Sequence, residues 1–586
     1  MIGILNLFTK RNRLIFFTCI SLCLLYGCGN NETNTPSIDL QNIIEDYQNH
    51  KGYDKKEFPL GLFTKEYYQS ESEFAKTKLN ELSKIDIIGL NDTEQISLEL
   101  LKFVLQDKID FYEFGRYLNP LLSDAGFHTA LVYKVKPLAN YEQVKKYLNE
   151  LNAIPDFVDQ HFVNLQEGLE KGVSQSRVIF NGYESTYNDH IVKDYTDSFY
   201  YSPFKSLPKN LTETQKDSVL TVAKTLIEDV VTPQFNRIKV FFETEYLPKT
   251  RTSIGASNLP NGDLFYQNRI NYYTTSTKYT ADDIHQIGLD EVARIKVEMQ
   301  KIISDLNFEG SFANFFKFLR TDAQFYAKTP NELLIAARDI AKRVDAQLPR
   351  YFKTLPRKPY GVAPVPDAIA PKYTTGRYVG TSKNSTEPGY YWVNTYDLPS
   401  RTLYTLPALT VHEAVPGHHL QGSLNKELGD SIPKFRKNLY LSAYGEGWGL
   451  YSEFLADEMG MYTTPYEQFG KLTYEMWRAC RLVVDTGIHS KGWTRAQVVD
   501  YMASNTALSL LEVNTETDRY ISWPGQALSY KIGELKIREL RKKAEKELGS
   551  EFDIREFHEI ILEQGTVTLS ILEKRIDRYI EHVKNK

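Results

Sequence analysis

The chain has 586 residues, 42% of them hydrophobic and 25% charged, which is enough apolar material for a large core or for two or three lobes. Its formal net charge is -5 and it has no long basic run, so nothing in its charge draws it to nucleic acid.

Near the N-terminus, Lys10, Arg11 and Arg13 precede the apolar run "LIFFTCISLCLLYG", which is too short for a comfortable membrane span. The run ends at "LYGC", which resembles a bacterial lipobox. It predicts a signal peptide over 1–27, lipidation at Cys28 and an exported chain anchored to the cell envelope, with an ordinary signal peptide or signal anchor as the alternative. A polar, Pro-containing tether over 28–38 follows. Cys19 and Cys23 leave with the signal, so Cys480 remains as the one free thiol and no disulfide framework is expected.

Most of the remainder is helical in pattern. Apolar residues recur at three- and four-residue spacing over 40–115, 140–175, 208–248, 280–307, 330–353 and 530–548. Thr280 with Asp283, and Thr494 with Gln497, have the spacing of capping boxes. Residues 355–400 differ, being rich in Pro, Gly and Tyr. The runs "GRYVGT" and "GYYWVNTY" flank a polar turn and predict a small hairpin. Its edge either accepts an extended substrate through backbone hydrogen bonds or is purely structural.

Directly after it comes "HEAVPGHH", residues 412–419. Of the eleven histidines, four, His412, His418, His419 and His489, fall within about one seventh of the chain. On a regular helix, residues four apart reach one metal, but residues six apart sit ~9 Å along the axis and ~120° out of phase. A straight helix therefore cannot join His412 to His418. Pro416 breaks or kinks it and Gly417 permits unusual dihedrals, so a bulge can swing a later histidine back. His418 is the favoured second ligand and His419 the substitute. Glu413 is placed as general base toward the attacking water.

A third ligand is expected from "YGEGWGLYSEFLADE", where Glu446 lies among alternating glycines that suit close packing; Glu453 is the rival or an outer partner. In "WRACRLVVDTGIHSKGW", Arg481, Asp485 and His489 fall at i, i+4 and i+8, with Arg478 beside them. They form either a ladder aiming His489 at an oxyanion or a substrate carboxylate, or a structural ion-pair network. In "TETDRYISWPGQALSYKIG", Tyr520 joins Arg478 and Arg481 as a candidate for substrate binding, and Tyr530 is the candidate for donating to the oxyanion.

Three stretches, "HEAVPGHHLQ", "WRACRLVVDTGIHSKGW" and "RYISWPGQALSYKIG", together with "LPNGDLFYQNRINYYTT" and "DIHQIGLDEVARI", resemble the bacterial "domain of unknown function 885" family. That family is grouped by resemblance with gluzincin metallopeptidases such as thimet oligopeptidase and angiotensin-converting enzyme. The resemblance implies a mainly α, two-lobed architecture around a deep cleft, with the metal at its floor and a small hairpin or sheet beside the motif helix. It implies an N-terminal helical lobe over 39–250 and a catalytic metallopeptidase-like region over 251–586. His412, His418 and Glu446 would hold one zinc ion, and Glu413 would serve as base. The usual gluzincin motif has two residues fewer between its histidines, although dipeptidyl peptidase III tolerates one extra.

The leading expectation is zinc-dependent hydrolysis of oligopeptides. The alternatives are an inactive peptide-binding lipoprotein and a metal-dependent amidohydrolase of cell-wall fragments. Manganese or cobalt would suit similar ligands.

Overall fold

The computed structural model describes residues 35–586, apart from 368, 371–372 and 383–384. The expected signal peptide, Cys28 and most of the tether lie outside the described residues. The first helix, α1 (Pro36–Asn49), already occupies the end of the stretch expected as tether. The side chain of Thr35 caps it by accepting the Ile38 N–H.

The protein is mainly helical, with one small sheet. Helices α2 (Lys65–Leu82) and α3 (Asp92–Glu113) pair within the first apolar-periodic stretch, which loops divide into three helices. From Glu213 to Tyr246 the chain stays helical, with two π-type turns interrupting it. Helix α4 (Ala281–Asp305) opens on the Thr280/Asp283 capping box, and Thr494/Gln497 caps the helix at Arg495–Asn505 in the same way. Among the described residues, no helix is long and apolar enough to cross a membrane.

The site-bearing part follows α5 (Pro330–Asp345). Strands β2 (Gly376–Val379) and β3 (Gly389–Val393) form the antiparallel pair expected from their sequences. Strand β1 (Tyr360–Pro364) adds to β3 in parallel, so the sheet runs β1-β3-β2 and β2 is an edge. Then come α6 (Leu406–Glu413), α7 (His418–Glu427), α8 (Ser442–Glu458), α9 (Pro465–His489), α10 (Leu510–Ser522) and α11 (Ser529–Leu548).

Two large hydrophobic cores hold these elements. One joins Leu121–Tyr246 side chains to Val292, Phe469, Met476 and Val513, so it spans both sides of position 250. The other gathers Leu409, Val411, Trp448, Tyr451 and Ile537. Helix α9 lies between them, giving Phe469 and Met476 to the first and Tyr474 to the second. It packs along α4, while α8 packs along α11. The α8–α11 contact is unusually close: a Cβ on Gly447 would stand 2.6 Å from the Gly533 Cα, and one on Gly533 would stand 2.0 Å from the Ala443 carbonyl oxygen. Cys480 is free and buried in α9.

Candidate metal centre

The helix carrying His412 stops at Glu413, as the Pro-Gly pair requires. Ala414 leaves helical dihedrals at φ -90, ψ -110, the Val415–Pro416 bond is cis, and Gly417 sits at φ -72, ψ -129. Two hydrogen bonds close the loop: Gly417 N–H donates to the Val411 carbonyl at 2.9 Å and His419 N–H to the Ala414 carbonyl at 3.0 Å. Trp448 Nε1 anchors it from α8 by donating to the Pro416 carbonyl at 2.7 Å. A Cβ at Gly417 would stand 1.9 Å from the His412 carbonyl oxygen, so only glycine fits this fold-back.

The fold-back starts α7 at His418, beside His412. The two imidazoles face each other nearly at right angles, with centroids 4.7 Å apart. Glu446 comes up from α8. Ligand atoms of His412, His418 and Glu446 all lie within 4.8 Å of one another. Glu446 Oε2 is 3.5 Å from His412 Nε2 and 3.5 Å from His418 Nε2. That is long for a hydrogen bond. It is close to the ~3.4 Å edge of a tetrahedron whose ligands stand ~2.1 Å from a central zinc. The donor set therefore fits a divalent metal such as zinc.

The outer contacts favour the same arrangement. Glu453 Oε1 lies 2.8 Å from His412 Nδ1, so the carboxylate accepts its proton and leaves Nε2 turned inward. Arg478 Nη2 braces the same oxygen at 3.3 Å. Tyr440 donates to Glu446 Oε1 at 2.7 Å, leaving Oε2 for the centre. Gly449 makes room for the His412 ring, because a Cβ there would fall 2.5 Å from its Cε1. The other two glycines of this stretch have different neighbours: Gly445 faces Tyr440 and Gly447 faces α11. Burial alone would raise the Glu446 carboxyl, but the two imidazoles beside it hold it well below the usual carboxylate range.

Glu413 is buried next to His412. Its Oε2 accepts the Tyr378 N–H of β2 at 2.7 Å, and among the described residues no other hydrogen bond reaches this carboxylate. In the antiparallel β2–β3 pair the Asn394 N–H donates to Thr375, which makes Arg377 and Val379 inward-bonded positions. The main-chain groups of Gly376 and Tyr378 therefore point outward, and of these the Tyr378 N–H is the one taken by Glu413.

His419 turns away from the centre. Its Nε2–H donates to the Lys358 carbonyl at 3.1 Å and its Nδ1 accepts from the Tyr378 hydroxyl at 3.1 Å. Burial pushes its imidazole down to about 4.

Three expectations fail downstream. His489 cannot face an oxyanion: it is fully buried, its Nδ1 accepts the Ala256 N–H at 3.0 Å and its Nε2–H donates to the Tyr520 carbonyl at 3.0 Å. The Arg481–Asp485–His489 ladder does not form, because Asp485 bonds to the Tyr266 hydroxyl at 2.7 Å and the Gly525 N–H at 3.1 Å, while Arg481 bonds to Tyr520 and Glu516. Tyr520 is buried with its hydroxyl fully used: it accepts from Trp477 Nε1 and Arg481 Nε, both at 2.9 Å, and donates to Glu516 at 2.8 Å. Tyr530 remains half-buried, its ring stacked 4.4 Å from the Arg481 guanidinium and near enough to Tyr440 to act on its hydroxyl.

The structure also brings in residues that the sequence did not single out. Tyr440, Tyr378 and Trp448 hold Glu446, Glu413 and the fold-back, respectively. In a chain with 39 tyrosines, none of these carries a local signal of its role.

Asp485 supplies a pH test. Burial pushes its carboxyl up to about 7, against the bonds from Tyr266 and Gly525. The unfolded chain loses this proton near pH 4 and the native protein only near 7, so stability falls as pH rises through that window. The contribution is on the order of 4 kcal/mol. An Asp485→Asn variant should lose that slope. Denaturation midpoints at pH 4.5 and 7.5, taken as variant minus wild type, isolate it from other titrating groups; a difference that does not grow with pH rejects it.

The family described as "Bacterial protein of unknown function (DUF885)" matches residues 48–576. A crystal structure described as that of "the putative lipoprotein from Colwellia psychrerythraea" is similar at 26% identity, covering 94% of this chain and 100% of that chain with a TM-score of 0.85. A second, described as "a putative lipoprotein of unknown function from Shewanella oneidensis", is 18% identical, covers 91% and 96% respectively, has a TM-score of 0.66, and shows the shared fold alone. No curated protein sequence matches the chain.

Proposed function

We propose that this chain, which belongs to the bacterial DUF885 family, hydrolyses peptide bonds in oligopeptides at a single zinc ion held by His412, His418 and Glu446. The observation that carries the proposal is the 3.5 Å spacing of Glu446 Oε2 from both imidazole Nε2 atoms, with the Glu413 carboxylate alongside. Two histidines and a distant glutamate, with a coordination position to spare, make a hydrolytic rather than a purely structural set. This constellation is also the basis for likening the protein to gluzincin peptidases.

When bound, zinc would polarise the scissile carbonyl and acidify the attacking water. The protein's own groups do the rest. Glu413 takes the water's proton and passes it to the leaving amine. Glu453 holds His412 in the tautomer that presents Nε2. The outward main-chain groups of β2 that Glu413 leaves free, those of Gly376 and the Tyr378 carbonyl, align an extended peptide by strand addition. With His489 engaged elsewhere, the Tyr530 hydroxyl is the donor assigned to the developing oxyanion.

The location proposed is the cell envelope, through a lipid on Cys28. The "LYGC" stretch supports it, as does the description of the Colwellia relative as a lipoprotein. Digesting an oligopeptide library with the zinc-loaded protein and reading the products by mass spectrometry tests the activity. Cleavage should appear and should stop on chelation; cleavage that persists in chelator, or none at all with zinc present, overturns the proposal.

A further inference from the structure

We propose that Arg478 and Arg481 form a carboxylate-binding subsite beside the metal centre, which takes the C-terminal carboxylate of a short peptide. The proposal rests on the peptidase assignment only for placing that peptide across the centre.

The two arginines lie three apart on α9 and share a face; they are 5% and 3% exposed. Their donors are only partly used. Arg478 gives Nη2 to Glu453 and leaves Nε and Nη1 without partners among the described residues. Arg481 gives Nε to Tyr520 and Nη2 to Glu516 and leaves Nη1 without one. Buried donors left idle are costly, and charged ones more so.

Aromatic rings occupy the faces of both guanidiniums. Tyr474 and Trp477 lie 4.7 and 4.9 Å from that of Arg478, and Trp477 and Tyr530 lie 4.3 and 4.4 Å from that of Arg481. Stacking occupies the faces and leaves the N–H edges, which are what a carboxylate engages.

The charge balance points the same way. Arg401 and Arg519 join the two arginines, against Glu453, Glu512 and Glu516. Burial and the neighbouring Glu516 push the Glu512 carboxyl up to about 7, so it does not supply a full negative charge. The cluster is left with cations in excess, and an anion completes it. Trp477, Tyr530, Glu512 and Glu516 are half-buried, so the cluster reaches the surface on their side.

The subsite is joined to the centre through one oxygen: Glu453 Oε1 stands between Arg478 Nη2 and His412 Nδ1, the ring nitrogen opposite the inward Nε2.

The test is calorimetric binding to the full chain carrying Glu413→Gln, with and without zinc, using acetyl-tetraalanine as the free acid and as the C-terminal amide. The free acid should bind at least about tenfold more tightly, the worth of a charge-assisted hydrogen bond. The preference should survive chelation and vanish in Arg481→Gln. An amidated peptide ending in glutamate that binds as well as the free acid would keep the subsite and assign it a side-chain carboxylate. Equal binding of acid and amide, or no binding of either, overturns the proposal and leaves the arginines as braces for Glu453. Should Arg481→Gln fail to fold, the acid-to-amide ratio still decides. Failure of the peptidase assignment reads differently: no hydrolysis by the wild type, with the acid preference intact.

Discussion

Replacing His412 with alanine should leave the protein without stoichiometric zinc, where the wild type should carry one equivalent. His412 is the one ligand gripped from three sides: Glu453 fixes its Nδ1, Gly449 makes room for its ring, and the fold-back at Gly417 sets its distance to His418. Losing an outer partner costs a metal site roughly 10–100-fold in affinity, and losing a ligand should cost more than that. His418→Ala should behave likewise. His419→Ala should keep its zinc, because both of its ring nitrogens are engaged with Lys358 and Tyr378. Metal content by atomic spectroscopy, with titration of the stripped protein, measures all three. A full equivalent in His412→Ala removes the ligand set, and a worse result for His419→Ala than for His418→Ala reverses the geometry of the fold-back.

Glu413→Gln should cut turnover steeply while preserving the site. A general base of this kind contributes roughly 10²–10⁴ in rate, so kcat should fall by that factor with zinc content unchanged. The amide oxygen of glutamine can still accept the Tyr378 N–H, so the strand edge should stay in place and KM should move little. Steady-state kinetics on a cleaved library peptide give both constants. A variant that retains its rate would mean that the metal and fold serve binding rather than hydrolysis.

The sequence was most informative where a local pattern has one physical outcome. The capping boxes at Thr280 and Thr494 and the antiparallel pair of "GRYVGT" with "GYYWVNTY" form as their sequences require. Pro416 and Gly417 end a helix as their chemistry demands, and the break brings His418 back toward His412. Patterns that depend on distant partners were not legible. Strand β1 pairs in parallel with a strand that begins at Gly389, and nothing in "PYGVAP" names that partner. The ladder on α9 does not form for a related reason, and Arg478 and Arg481 instead make ion pairs to Glu453 and Glu516 on neighbouring helices. Positions i, i+4 and i+8 share a face, but α9 is buried nearly all round from Phe469 to His489, so each of those residues meets a different element. Arg481 reaches α10, Asp485 meets Tyr266 and Gly525, and His489 lies between Ala256 and Tyr520.

The contact between Gly447 and Gly533 bears on how this protein can change over time. Most tight contacts between helices can be renegotiated: one side chain grows and its neighbour shrinks. Here neither partner has a side chain to surrender, and each would strike main-chain atoms of the other helix. No single exchange at one position can be rescued by another at its mate. Because Gly447 adjoins Glu446, the seat on α11 of the helix that carries this proposed ligand is set at that point by main-chain atoms, and two positions are closed to substitution.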